Sequence, residues 1–218
     1  MREVVMPTPG FPPDVLDEDG EPSWISALAC SGPHHAVHVV RDLEPATALE
    51  RLGAKAAGIR PGALPAARPD ELTSLPAASL GADAGGAATL TAGRIGSWTF
   101  VYDDSAITAD RGPLLSVGGR IAATGRYTIN ADAGLTYAAD GETVAWITVD
   151  DLDLEADLPG LPAELRAAFE SAGTFDDGEL DPGEPDPQIC MRAVCALAGL
   201  HCTIEDLREI PLLIAVFP

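Results

Sequence analysis

Apolar and small polar positions alternate along LTYAADGETVAWI (Leu135 to Ile147), and the alternation pivots on Asp140-Gly141. This pattern predicts two strands joined by a tight type I′ turn, whose central residues both need positive φ. Counting outward from the turn pairs Ala139 with Glu142, Tyr137 with Val144 and Leu135 with Trp146. Leu135, Tyr137, Val144 and Trp146 then share one face, which reads as a core face and not as a ligand platform.

The same reading runs along the rest of the chain. SWISALA (Ser23 to Ala29) predicts a short helix, and HAVHVVR (His35 to Arg41) a strand. EPATALERLGA predicts a helix that starts near Pro45 and stops at Gly53. Residues 54–96 are rich in Ala, Gly and Pro and read as a loop segment. Only PDELTSL (Pro69 to Leu75) looks helical there, and AATLTAG begins a strand. SWTFVYDD (Ser97 to Asp104) and GRYTIN (Gly125 to Asn130) read as further strands. PAELRAAFESAG (Pro162 to Gly173) and DPQICMRAVCALAGL (Asp186 to Leu200) read as helices. Thr203 and Asp206 form an S/T-x-x-D/E cap on TIEDLREI. The expected fold is α+β: an antiparallel sheet, a meander with the 135–147 hairpin, flanked by short helices and with a helical C-terminal end. Residues 1–22, rich in proline and acids, read as a flexible tail before a single domain over residues 23–218.

Charge narrows the functions. Thirty-four acids against 13 bases give a net charge of −21. Nucleic acid and anionic membrane would be repelled, whereas a basic protein would be steered in. The excess is concentrated: from Ala138 to Pro187 fifteen acids (nine Asp, six Glu) stand against Arg166 alone. The candidate interaction surface is Asp150, Asp151, Asp153, Glu155 and Asp157, with Asp176, Asp177, Glu179 and Asp181. Four unevenly spread cysteines, no signal-like leader and no membrane-length apolar run fit a reduced, cytoplasmic protein.

No catalytic motif emerges. Cys190 and Cys195 diverge around a helix, and Cys195 and Cys202 are separated by Gly199, so no zinc set closes. His34 and His38 oppose His35 on a strand. Asp177, Glu179 and Asp181 imitate the start of a calcium loop, but Pro182 stands where glycine is required. SVGGR (Ser116 to Arg120) reads as a turn. No cofactor and no metal are expected.

The ordered signals VHVVRDLEPATALERLGA, GSWTFVYDD, YTINADAGLTYAADGETVAWI and ALAGLHCTIEDLREIPL give the chain a resemblance to an actinobacterial domain-of-unknown-function family. The resemblance spans roughly Trp24 to Leu213. It implies a small intracellular α+β domain without an established activity, and no catalytic residues to carry over. Two functions follow as expectations. One is a non-enzymatic, acidic interaction protein, like an immunity protein or antitoxin, that binds a basic protein partner. The other is an enzyme or small-molecule binder with a pocket between the sheet and the C-terminal helices, using Cys30, His35 and His201.

Overall fold

A computed structural model describes residues 11–30, 34–81, 88–128, 132–175 and 184–217. In chain order the elements are α1 (Ser23–Leu28), β1 (His35–Arg41), α2 (Pro45–Leu52), β2 (Arg60–Gly62), α3 (Leu75–Ser79), β3 (Thr89–Ile95) and β4 (Trp98–Asp103). They continue with α4 (Gly112–Ser116), β5 (Ile121–Tyr127), β6 (Gly134–Ala139), β7 (Glu142–Thr148), α5 (Leu154–Asp157), α6 (Ala163–Ala172), α7 (Ile189–Ala198), α8 (Ile204–Arg208) and β8 (Leu212–Val216). The strands form one antiparallel sheet in the order β2-β8-β3-β4-β1-β5-β6-β7, so β7 is an edge. The α+β expectation holds, and helices α7 and α8 stand near the C-terminal end. The strand β8 after them is an addition: LLIAV is an apolar run that pairs with both β2 and β3.

Helices cover the two sheet faces unequally. On the first face α7 packs over β1, β5 and β6, and α6 packs on α7. Trp24, Phe100, Tyr102, Leu135, Tyr137 and Phe169 are buried in this larger core. On the second face α2 and the short α4 cover Val40, Leu90, Val101 and Ala122. Helix α4 also reaches β6, and the face opens at Thr136, Thr143 and Trp146.

Arg192 of α7 has no exposed surface. Its five donors are all used: Nε reaches the Ala172 carbonyl, Nη1 the Gly20 carbonyl and Asp186, and Nη2 the Gly173 carbonyl and the other Asp186 oxygen at 2.5 Å. A buried guanidinium is tolerated only when its charge and every N–H are answered, and here they are. The contact with Gly20 also corrects the tail expectation. Within residues 11–22, Phe11 and Val15 are buried because apolar side chains this close to the core gain more by joining it than by staying in water, and Glu21 is buried against His35.

Further expectations are corrected. The helix expected over Pro69–Leu75 lies at Leu75–Ser79, where Ser74 caps it by accepting from the Ala77 N–H. In the hairpin the turn is as expected, with Asp140 at φ 49° and Gly141 at φ 88°. SVGGR receives that turn. Asp140 accepts from the Gly118 and Gly119 N–H groups, and the Ser116 hydroxyl accepts from Gly141. The register is not as expected. A bulge between Tyr137 and Ala138 shifts the pairing, so Tyr137 faces Ala145, Thr136 faces Trp146 and Leu135 faces Ile147. Val144 is the extra residue. One extra residue reverses which face each later side chain takes. Leu135, Tyr137 and Ile147 are buried, while Val144 is 52% and Trp146 68% exposed. Trp146 is therefore not core.

Tyr137→Ala should lower stability by about 3 kcal/mol or more as a core truncation, and Trp146→Ala by less than about 1 kcal/mol. Urea denaturation of both variants checks this, and equal losses would restore the unbulged register.

Candidate functional site

The second face carries one polar row. Antiparallel pairing aligns His38 of β1 with Thr124 of β5, Thr124 with Thr136 of β6, and Thr136 with Trp146 of β7. Direct cross-strand neighbours project to the same side, so the row runs from the covered sheet centre to the open edge.

At its inner end His38 is fully buried between two hydroxyls, with Nδ1 2.9 Å from Thr124 Oγ1 and Nε2 3.0 Å from Thr108 Oγ1. Thr108 donates its hydroxyl proton to Asp103 at 2.6 Å, and its N–H to the same oxygen at 2.7 Å. Having given its proton away, Thr108 Oγ1 must accept from His38, which makes Nε2 the protonated nitrogen. Nδ1 is then the lone pair, and Thr124 donates to it. A single proton order thus runs Thr124 to His38 to Thr108 to Asp103. Burial lowers the His38 pKa to about 3, so the ring stays neutral and is a poor general base. It acts on Thr124 by fixing where the hydroxyl proton points.

Gly112, at the start of α4, makes this packing feasible. A Cβ there would lie 2.2 Å from Thr124 Oγ1, so only glycine lets the helix start press on the row. Asp104, the neighbour of Asp103, accepts from Ser74, Thr89 N–H and Thr89 hydroxyl. Burial raises the pKa of both carboxyls, and these hydrogen bonds oppose the rise.

Toward the edge the row opens into a trough of about 240 Å³. The row Thr124, Thr136 and Trp146 lines it, together with Asp110, Pro113, Arg126 and Thr143. Arg126 is paired with Asp132 at 3.0 Å. Trp146 also borders a second groove of about 510 Å³, lined by Thr148, Asp151, Leu152, Asp157 and Leu161.

The acids expected to form an interaction surface divide by location. Asp150, Asp151, Asp153, Glu155 and Asp157 are all exposed; Asp151 and Asp157 line this second groove, and Glu155 lines another with Arg166 and Glu170. Some also order their own backbone: Asp153 caps α5 by accepting from Glu155 and Ala156 N–H, and Asp157 accepts from the Asp153 N–H. Asp151 accepts from the Thr148 hydroxyl. None of the five is in a salt bridge among the described residues, whereas Glu44, Glu164 and Asp132 each hold an arginine. Asp176, Asp177, Glu179 and Asp181 lie outside the described residues, and so does the calcium-loop imitation.

The groups of the pocket expectation take separate partners. His35 Nε2 sits 2.8 Å from buried Glu21, and its ring stacks on Tyr127 at 5.9 Å. This pair fastens the N-terminal segment to β1. His201 packs edge-on against Phe11, with ring centroids 4.4 Å apart. Cys30 is half-buried at the end of α1. The face between the sheet and helices α6 and α7 is filled by the larger core, so the described grooves lie on the opposite face and beyond β7 instead. Burial pushes the Cys190 and Cys202 thiols up to about 12, and thiols held protonated are weak ligands and nucleophiles. Among the described residues no three His, Cys, Asp or Glu converge to hold a metal, and no helix is long and apolar enough to cross a membrane.

Sequence reasoning missed the Asp103–Thr108–His38–Thr124 relay because it joins residues far apart in the chain. The one signal was a histidine between valines in HAVHVV. No protein-family profile, no curated protein and no solved structure matches this chain.

The unfolded chain titrates His38 near 6.5 and the fold near 3, so between these values the unfolded state binds the extra proton. Stability contributed by neutral His38 is therefore present above about pH 6.5 and is lost as pH falls. Asp103 and Asp104, with raised pKa values, work in the opposite direction and are common to the parent and a His38→Gln variant. Between pH 6.5 and 4.5 the parent should lose roughly 2–3 kcal/mol more than His38→Gln in urea melts. Parallel pH profiles would mean that the imidazole is not held neutral.

Proposed function

We propose that this protein is a non-enzymatic binding module that docks a cationic segment of another protein on the acidic surface beside β7. One observation carries the reading: Asp150, Asp151, Asp153, Glu155 and Asp157 are exposed and form no salt bridge among the described residues, and two of them, Asp151 and Asp157, line a groove walled by an exposed indole. Uncompensated like charges repel one another and lower stability, so a partner that neutralises them gains that energy on binding. Trp146 adds an anchor, since a guanidinium or ammonium is attracted to the face of an indole and is stronger there when carboxylates sit nearby. The reading extends to an intracellular protein that blocks a basic partner by covering it, in the manner of an immunity protein. That extension rests on charge analogy.

The test uses the protein that a low-salt pull-down recovers and that high salt releases. With that partner, converting the five acids to Asn and Gln should slow association by about tenfold or more and change dissociation less. Asn at 153 still caps α5. The neutralised protein should also melt at a higher temperature at low ionic strength, because the self-repulsion is gone. A parental association rate with a flat salt dependence would remove the acidic surface from the interface.

A further inference from the structure

The trough on the second face has a chemistry different from that of the acidic groove, although Trp146 stands between them. Its floor holds two threonines in register, Thr124 and Thr136. Thr143 and Asp110 add a hydroxyl and a carboxylate at the rim, and Arg126 adds a guanidinium already neutralised by Asp132. Trp146 supplies the largest apolar side chain and is 68% exposed, and Ala109 and Pro113 add smaller apolar surface.

We infer that this trough is a binding site for a neutral polyhydroxylated ligand about the size of one sugar ring. Each lining group contributes a requirement. Because Thr124 spends its proton on His38, any lone pair that it turns to the trough calls for a donor. Asp110 likewise accepts, while Arg126 donates through whatever N–H groups Asp132 leaves. Thr136 and Thr143 do either. A ligand that meets all of them carries several groups that both donate and accept, which hydroxyls do.

The other ligand classes fit less well. An anion meets the repulsion of a protein with net charge −21, and the one guanidinium is already paired. An apolar ligand would strip water from threonine and aspartate without returning hydrogen bonds. A cation finds unpaired carboxylates in the neighbouring groove and an arginine in this one. The indole completes the match: the C–H face of a sugar ring is flat and apolar and stacks on an aromatic face, while its hydroxyls point outward to the threonines. The volume of about 240 Å³ is enough for a single ring.

The test follows the indole N–H resonance of Trp146 in the full chain during titration with methyl glucoside, methyl galactoside and N-acetylglucosamine. Glucose 6-phosphate serves as the charged counterpart. At least one neutral sugar should give a saturable shift. Thr136→Val, isosteric at a half-exposed position, should weaken it by about tenfold, the usual consequence of removing a hydroxyl's hydrogen bond from a polar site. Trp146→Ala should leave no saturable shift on the resonances of Thr124 and Thr136. Asp151→Asn with Asp157→Asn should leave sugar binding unchanged, which separates this site from the acidic groove. No saturable shift with any neutral sugar overturns the inference, as does a shift untouched by Thr136→Val. Tighter binding of the phosphorylated sugar overturns it too, because the site would then select an anion.

Discussion

A guanidinium without access to water decides how this fold is closed. Arg192 can be buried only because three backbone carbonyls and both oxygens of Asp186 answer its five N–H groups. Those carbonyls come from Gly20 in the N-terminal segment and from Ala172 and Gly173 at the end of α6. Asp186 is oriented in turn by the Phe175 and Gln188 N–H groups that it accepts. Removing any one of these partners leaves a charge or a donor stranded in the core, which costs far more than a surface pair would. The pair therefore fixes three chain segments relative to one another, and it seats α6 and α7 on the first face of the sheet. With that face filled, the trough and the groove bordered by Trp146 lie on the second face and along β7.

The sheet's asymmetry then does the rest. Two short helices, α2 and α4, shield β1, β3, β4 and the near part of β5 on the second face. The His38 relay lies at the boundary, with its imidazole in the dry part and Thr124 at the lip of the trough. A polar network at such a boundary is held rigid from one side and accessible from the other, the condition that lets a hydroxyl keep one orientation before a ligand arrives. Gly112 is what allows α4 to set that boundary so close to Thr124.

Much of this fold was legible in the sequence, and its misses have physical causes. Strand β1 follows from its short valine-rich run and helix α2 from a Pro start and a Gly stop, all of them local signals. The Thr203 capping box is local as well, and both of its hydrogen bonds form. The Asp140-Gly141 turn was equally legible, because positive φ at both positions depends on those two residues. The bulge two positions away was not. Whether Val144 is paired or extra depends on what Tyr137 and Ile147 must reach across the sheet, and no residue within the hairpin records that. Trp146 was misplaced for this reason alone. Arg192 and Asp186 left a trace that periodicity does not score: a lone charge among Ile, Cys, Met, Ala and Val. Phe11 and Glu21 were hidden in a proline-rich, acidic stretch whose composition resembles a tail, although its few apolar side chains have a core to join.

The bulge that defeated the register also creates the surface on which both functional readings rest. Without it Trp146 would oppose Leu135 and turn inward, and β7 would present Thr143, Ala145 and Ile147 to the second face. With it an indole stands at the sheet's free edge, between hydroxyls on one side and unpaired carboxylates on the other. An exposed edge strand bearing a large aromatic is ordinarily an aggregation hazard, and acids and bulges are the usual protection. Here the protection is selective. On the proposed readings, the charge that would repel a second copy of this chain would attract a cation, and the bulge that interrupts regular pairing holds the indole outward where a flat ligand face could reach it. Solubility and recognition at this edge thus come from the same few residues, and a substitution that straightens β7 would change both at once.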